Sequence, residues 1–588
     1  MTALAQFGPR LHADGVTFRL WAPTASRVEV MTDRPHPMTP CADGWHALTL
    51  RDARAGTRYR FRIDGELDVP DPASHFQPDD ISGLGEVVDH DAFPWRAAGW
   101  RGRRWEHAAI LECHVGTFTP EGHFRAMVDK LDHLVECGIT AIELMPVADF
   151  AGRWNWGYDG VLLYAPDSTY GRPEDLKALV DEAHLRGLMV FLDVVYNHFG
   201  PEGNYLGRYA PEFFAASQTP WGAAIDYCVP QVRAFAIENA LHWLARYRFD
   251  GLRLDAVHAI VEPGEPPLLE DLSRAVGELA AATGRFVHLV VENDHNKASL
   301  LDPLADPPRG RYRAQWNDDY HHAWHVLLTG EDNGYYRDYA PDPGRHIARA
   351  LSSGFAYQGE ASIHRDGKKR GEPCARLSPL AFIDFLQNHD QIGNRPLGDR
   401  LTTQTDQDLL TAALTIMLLA PMPPLLFMGE EWDSTRPFPF FCDFHGQLAE
   451  AVRLGRRREF AGAYVHYGDD IPDPLAEKTF LSAKLDWDRC ATPAGRDRLI
   501  LVQRLLRIRR ERIVPHLERT RFGSACFDAG WISAHWLLGN GERLSCLANL
   551  SPQGQSRGDR VEAGHPIWGG TPPAVLPPYS VYWAIGRR

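Results

Sequence analysis

Three carboxylates, each placed where an apolar run of the chain gives out, carry the chemistry that can be read from this sequence. Asp255 closes the run Phe249-Asp250-Gly251-Leu252-Arg253-Leu254-Asp255, Glu292 closes Val287-His288-Leu289-Val290-Val291-Glu292, and Asp390 follows Phe385-Leu386-Gln387-Asn388-His389. Side chains two residues apart leave a strand on one face, so Arg253 projects together with Asp255 and its guanidinium holds that carboxylate ionised. A fixed, ionised aspartate is a nucleophile. Taken alone, the Arg-x-Asp pattern reads more readily as a buried structural ion pair, but acids recur at other strand ends. A fourth run, residues 190–198, ends in Asp193, Asn197 and His198.

Groups so far apart in sequence become neighbours if the strands run parallel in a closed barrel, because all strand C-termini then share one face. From about residue 108 the chain repeats an apolar strand, a polar loop and an amphipathic helix. Strands are expected at 110–115, 141–145, 190–195, 251–255, 288–292, 314–317, 381–386 and 425–428, with helices at 127–137, 173–186, 231–247, 406–419 and 498–510 between or after them. This is the count for an α/β fold of the (β/α)8 TIM-barrel type. Residues 428–494 are too long for a connecting loop and should form an excursion over the active face. Short alternating runs at 16–21, 27–31, 45–50 and 58–63 predict an N-terminal β-sandwich, and runs at 531–537, 544–549 and 579–583 a C-terminal antiparallel β-domain. The expected domains are 1–100, 101–515 and 516–588.

Composition bounds the partners. A chain of 588 residues needs more than one core. Its 17 tryptophans and 19 tyrosines supply flat faces that pack cores and also stack on sugar rings. A formal charge of -15 argues against nucleic acid, which needs a concentrated basic surface. The basic stretch 504–512 reads as the solvated side of a helix whose apolar side is Leu505, Leu506, Ile508 and Ile513. Nine scattered cysteines without a C-x-x-C pair disfavour a disulfide framework and a structural zinc site, and fit a cytoplasmic location. Residues 1–10 lack the layout of a signal peptide and no apolar run reaches membrane-spanning length, so no membrane partner is expected. Neither a P-loop nor a G-x-G-x-x-G occurs, so no nucleotide cofactor is indicated. Asp193 and Asn197 could touch calcium, but no loop supplies the six or more oxygens it wants, and no metal is expected.

Residues 193–198, 251–258, 291–294 and 385–390 resemble, in order and spacing, the four signature regions of the α-amylase superfamily of glycoside hydrolases. Within it, residues 255–260, 315–322 and 387–395 resemble the members that act on maltooligosyl trehalose, and the likeness spans nearly the whole chain. The resemblance implies a retaining mechanism on α-glucan oligosaccharides, with Asp255 as nucleophile, Glu292 as acid and base, and Asp390 binding ring hydroxyls. It also implies that His198 and His389 donate to the cleaved glucose while Tyr158 stacks beneath it. Trp316, Asn317, Asp318, Asp319 and His322 would shape the leaving-group side, and Arg253, His258, Gln391 and Arg395 would complete the substrate contacts. Asp193 would orient Arg253, and Asp294 rivals Glu292 because it points the same way on a continuing strand. Asn293 departs from the serine expected there. Two other readings use the same features: an α-glucan branching enzyme, and a non-catalytic glycan-binding protein, which usually lacks part of the acid set that is complete here.

Overall fold

The computed structural model describes residues 6–219, 222–260, 267–302, 312–558 and 564–587. Eight parallel strands, β1 (Ile110–Cys113), β2 (Ala141–Leu144), β3 (Met189–Val194), β4 (Gly251–Leu254), β5 (His288–Val291), β6 (Ala314–Trp316), β7 (Phe382–Ile383) and β8 (Leu425–Phe427), pair in the spatial order 7-6-5-4-3-2-1-8. A parallel bridge between Asp384 and Pro424 joins the two ends and closes the ring. All eight expected strands are present, mostly one or two residues shorter. The largest difference is β7, which keeps two residues of the expected 381–386: a 3-10 turn (Pro379–Ala381), capped by the Ser378 hydroxyl, consumes its start. The expected helix at 127–137 is two, Phe124–Val128 and Leu131–Cys137, separated where Lys130 N–H bonds back only three residues to the Met127 carbonyl.

Alternation along these strands builds the barrel interior in layers. Ile110, Ala141, Phe191, Val290, Ala314, Ile383 and Leu425 form one buried apolar cluster with Trp105. Gly251 belongs to the same layer without a side chain: a Cβ there would stand 2.8 Å from the Phe191 ring, which fills its place. Two residues further along, five of the eight inward positions turn polar, as Glu112, Glu143, Asp193, Arg253 and Glu292, while β6, β7 and β8 lead to the buried rings of Trp316, Phe385 and Phe427. The interior is therefore apolar at the base and charged at the C-terminal mouth, which is the face where a ligand meets a rigid scaffold.

At the N-terminus, strands Arg10–His12, Gly15–Trp21, Trp45–Leu50 and Thr39–Pro40 form one antiparallel sheet, and Pro35–Pro37, Val28–Met31, Arg58–Ile63, Leu67–Val69 and Gly85–Glu86 a second. Tyr59, Phe61 and Ile63 alternate inward with the arginines between them turned out, the pattern of a half-buried strand. At the C-terminus, Arg521–Asp528, Trp531–Leu537, Arg543–Asn549, Val581–Gly586 and His565–Trp568 make a five-stranded antiparallel sheet. The excursion at 428–494 is ordered into helices Gly446–Glu459, Ala461–Tyr467 and Glu477–Ser482.

Within the basic stretch 504–512, Arg504, Arg507, Arg510 and Arg512 are exposed as expected, with Leu505, Leu506 and Ile513 buried opposite them. Arg509 is the exception: it is buried and donates to the carbonyls of Leu418, Ala420, Pro421 and Met422. Those oxygens lie at and just beyond the end of helix Gln407–Leu419, where carbonyls have no partner in their own helix, and the guanidinium supplies it. No helix of the described residues is long and apolar enough to cross a membrane.

Candidate active site

Arg253 organises the barrel mouth. Its Nη1 donates to Asp193 Oδ2 at 2.7 Å and to Asp255 Oδ1 at 2.8 Å, while Nη2 lies 3.7 Å from Glu292 Oε2. Only 3% of this side chain reaches solvent, and its guanidinium carbon sits 4.1 Å from the centroid of the Trp316 ring. The second oxygen of Asp255 accepts from Asn197 Nδ2 at 2.8 Å. Asp255 is thus held at both oxygens. Immediately after it, Ala256 adopts a left-handed backbone, φ 40°, that is rare for a residue with a side chain. This turns the Ala256 N–H onto Glu292 Oε2, 2.6 Å away.

The two rivals for the acid role occupy opposite environments. Burial, reinforced by Asp255, Asp318 and Asp390, pushes the Glu292 carboxyl well above the usual carboxylate range despite the nearby Arg253. Burial acts on Asp294 as well, but there Arg370 and Arg365 outweigh it and keep that carboxyl low. Asp294 is an ion-pair partner of both arginines. Burial raises Asp193 to about 6, with Arg253 opposing, and Asp318 to about 7, with Asp294 adding to burial. His389 is pushed up despite its burial, because Nδ1 is paired with the Glu112 carboxylate.

These groups face a cavity of about 490 Å³, within the usual size range for a small-molecule site. Asp255, Glu292 and Asp390 line it together, with Tyr158, His198, Arg253, His258, Asp318, His322, His389 and Gln391. Tyr158 stacks on His389 at 5.0 Å between ring centroids and donates to Asp193 Oδ2 at 2.6 Å. His198 has both ring nitrogens engaged within the protein, Nε2 by the Tyr158 carbonyl at 2.9 Å and Nδ1 by the Asn197 amide oxygen. Asn197 and Asp193, considered above for calcium, thus serve the cage around Asp255.

Four expected contacts lie elsewhere. Trp316 is buried beneath the guanidinium of Arg253, inside the barrel. Asn317 is buried and donates to Asp384 Oδ1 at 2.8 Å, tying β6 to the residue that closes the ring. Asp319 is buried against Arg370 and accepts from the Tyr357 N–H. Arg395 grips Glu331 through two nitrogens, at 2.6 and 2.9 Å, and Asp399 at 3.1 Å. Each makes its contacts within the protein and is absent from the cavity lining.

Other wall residues went unread in the sequence. Tyr335, His364, Asn394, Phe440 and Arg456 line the cavity, as do Trp156 and Asp159 beside the expected Tyr158. Asn394 Nδ2 donates to Asp390 Oδ1 at 2.6 Å, and Arg456 Nη1 donates to Asn394 Oδ1 at 3.0 Å. Glu112 and Glu143 also went unread: each is an acid inside an apolar strand, two residues after Ile110 and Ala141, with no arginine at that spacing to mark it.

A parallel barrel between two β-domains, with acids clustered around one arginine at its mouth, defines a glycoside hydrolase of the α-amylase type. The family model described as alpha amylase, catalytic domain, matches residues 89–211; carbohydrate-binding module 48 (isoamylase N-terminal domain) matches 6–75, and a domain of unknown function matches 521–583. The malto-oligosyltrehalose trehalohydrolase of Deinococcus radiodurans is 42% identical, over 90% of this chain and 87% of its own length. That of Saccharolobus solfataricus is 39% identical, over 86% and 87%. A crystal structure from Salmonella typhimurium superposes with a TM-score of 0.94 at 43% identity, covering 100% of both chains. The chain belongs to the malto-oligosyltrehalose trehalohydrolase family.

Proposed function

We propose that this protein hydrolyses the α-1,4 bond next to the terminal trehalose unit of maltooligosyl trehalose, releasing trehalose and a maltooligosaccharide. The observation that carries the reading is the unequal treatment of two acids by one site: Asp255 fixed against Arg253 and Asn197, and Glu292 beside it pushed by burial toward holding its proton. In the first step an Asp255 oxygen forms a bond to the anomeric carbon as the glycosidic bond breaks, and the departing trehalose oxygen takes the Glu292 proton. In the second, Glu292 removes a proton from water, whose oxygen displaces Asp255 and regenerates the free acid. Asp390, held by Asn394, receives ring hydroxyls as the sugar flattens toward the oxocarbenium-like transition state. Tyr158, His389, Asp318, His322 and Gln391 are the wall groups assigned to the two sides of the bond. The nine cysteines, scattered and without a C-x-x-C pair, support a reducing, cytoplasmic location.

Chromatography of products separates this reading from its neighbours. Incubated with maltooligosyl trehalose, the protein should release trehalose far faster than it releases any sugar from plain maltooligosaccharide of equal length. New α-1,6 branch points on amylose would instead make it a branching enzyme, and inert substrate in both assays a glycan-binding protein.

The pH dependence follows from the protonated acid. Glu292 is active with its proton on, so kcat/KM should fall as pH rises through its elevated pKa. Glu292→Gln, which cannot ionise, should leave its small residual rate without that alkaline limb. An alkaline limb unchanged in Glu292→Gln would assign it to another group.

A further inference from the structure

Away from the barrel mouth, three histidines from distant parts of the chain converge between the N-terminal sheets and the barrel. His75 and His90 lie on the connecting chain that follows strand Leu67–Val69, and His242 on the barrel helix Pro230–Arg246. One ring nitrogen from each lies within 4.8 Å of the other two. The ring centroids are 4.9 Å apart for His75 and His90, 4.8 Å for His75 and His242, and 5.1 Å for His90 and His242. His90 and His242 are buried, and His75 is partly exposed.

The cluster has unmet polar valence. Neither nitrogen of His90, nor Nδ1 of His75, has a hydrogen-bond partner, although all three atoms are shut off from water. Buried polar side-chain atoms normally have partners, so unpaired ring nitrogens within a cluster of three close imidazoles call for a ligand. His242 is oriented there by its Nε2, which bonds the Tyr164 carbonyl at 3.1 Å. Burial also keeps the rings neutral, His75 being held down to about 3, which leaves their lone pairs free for coordination.

We propose that His75, His90 and His242 bind a borderline divalent transition ion, zinc being the best fit, which clips the connecting chain to the barrel helix. Neutral imidazoles are the usual ligands of such ions, and three of them leave the fourth tetrahedral position to water. A zinc about 2.1 Å from each nitrogen would hold them about 3.4 Å apart, so binding draws the rings inward by roughly an ångström. His75 lies outside regular structure and can move that far. Two cations stand nearby: Lys177 donates to the His90 carbonyl at 2.9 Å, and Arg246 is paired with Asp91 at 2.9 Å. They disfavour a dication, which makes this a weaker site than one with anionic ligands.

The full chain, stripped with a chelator and dialysed, should take up one zinc ion per molecule, by elemental analysis, and melt at a higher temperature with zinc than without. His90→Gln and His242→Gln should each cost at least about 100-fold in zinc affinity and remove the zinc-dependent rise in Tm. His75→Gln, on an irregular and partly exposed segment, serves as the variant least prone to misfold. His12→Gln, on the exposed surface, should change neither readout. Cobalt in place of zinc should give a ligand-field spectrum without thiolate charge-transfer absorption, which distinguishes this cluster from the nine cysteines. Absence of stoichiometric zinc in the wild-type chain, or zinc uptake indifferent to all three substitutions, overturns the proposal.

Discussion

Asp255→Ala is expected to lower trehalose release from maltooligosyl trehalose by at least about 10³-fold, roughly 4 kcal/mol of transition-state stabilisation, while leaving the fold intact. The loss should fall on kcat, because Asp255 makes its bond to the anomeric carbon only as the reaction proceeds. Glu292→Gln gives the complementary signature. On the natural substrate it should be nearly as damaging, but a maltooligosyl fluoride, whose leaving group needs no proton, should recover much of the first step. Azide added to that variant should then yield a glycosyl azide with the α configuration, since Asp255 still forms the β-linked glycosyl-enzyme, azide displaces it from the opposite face and no base is needed for its attack. An Asp255→Ala enzyme with undiminished turnover would remove the nucleophile from the scheme, and equal damage to both substrates in Glu292→Gln would remove the acid.

Arg253→Met should be the most destructive change at the site in structural terms. The guanidinium bonds Asp193 and Asp255 and stands next to Glu292 while nearly dry. Its removal leaves carboxylates buried without a counter-charge, and breaking such a pair by deleting one partner costs about 3–5 kcal/mol. The midpoint of urea unfolding should drop accordingly, and activity should vanish with the positioning of Asp255. Arg253→Lys keeps the charge but offers a single ammonium where a planar fork now reaches several oxygens. It should recover part of the stability and little of the rate. Wild-type unfolding of Arg253→Met would mean that the acids find another partner.

The parts of this protein that were legible in the sequence share a physical cause. Strands of a parallel barrel are buried on both faces and read as unbroken apolar runs, so β4 and β5 were placed to within a residue and the acids behind them followed. What failed was direction and partnership. Trp316 ends a strand in the same way as Glu292, yet it fills the barrel beneath Arg253, a neighbour contributed by β4. Asn317 and Arg395 carry the right chemistry for sugar hydroxyls, but Asp384 and Glu331 claim them first, and such partners become adjacent only on folding. Tyr335, His364 and Phe440 lie outside the barrel strands, where no periodicity announces which residue faces inward.

The ordered excursion after β8 has a consequence for how such an enzyme changes over time. Phe440 and Arg456 form part of the cavity wall from a stretch that supplies no barrel strand, and Arg456 is linked to Asp390 through Asn394. Drift in this stretch can therefore retune which glucan is preferred, and for what length, with Asp255, Glu292 and Arg253 untouched. Chemistry and taste are inherited on separate lengths of polypeptide, so exchanging one loop between relatives is a route to new selectivity that leaves the reaction itself alone.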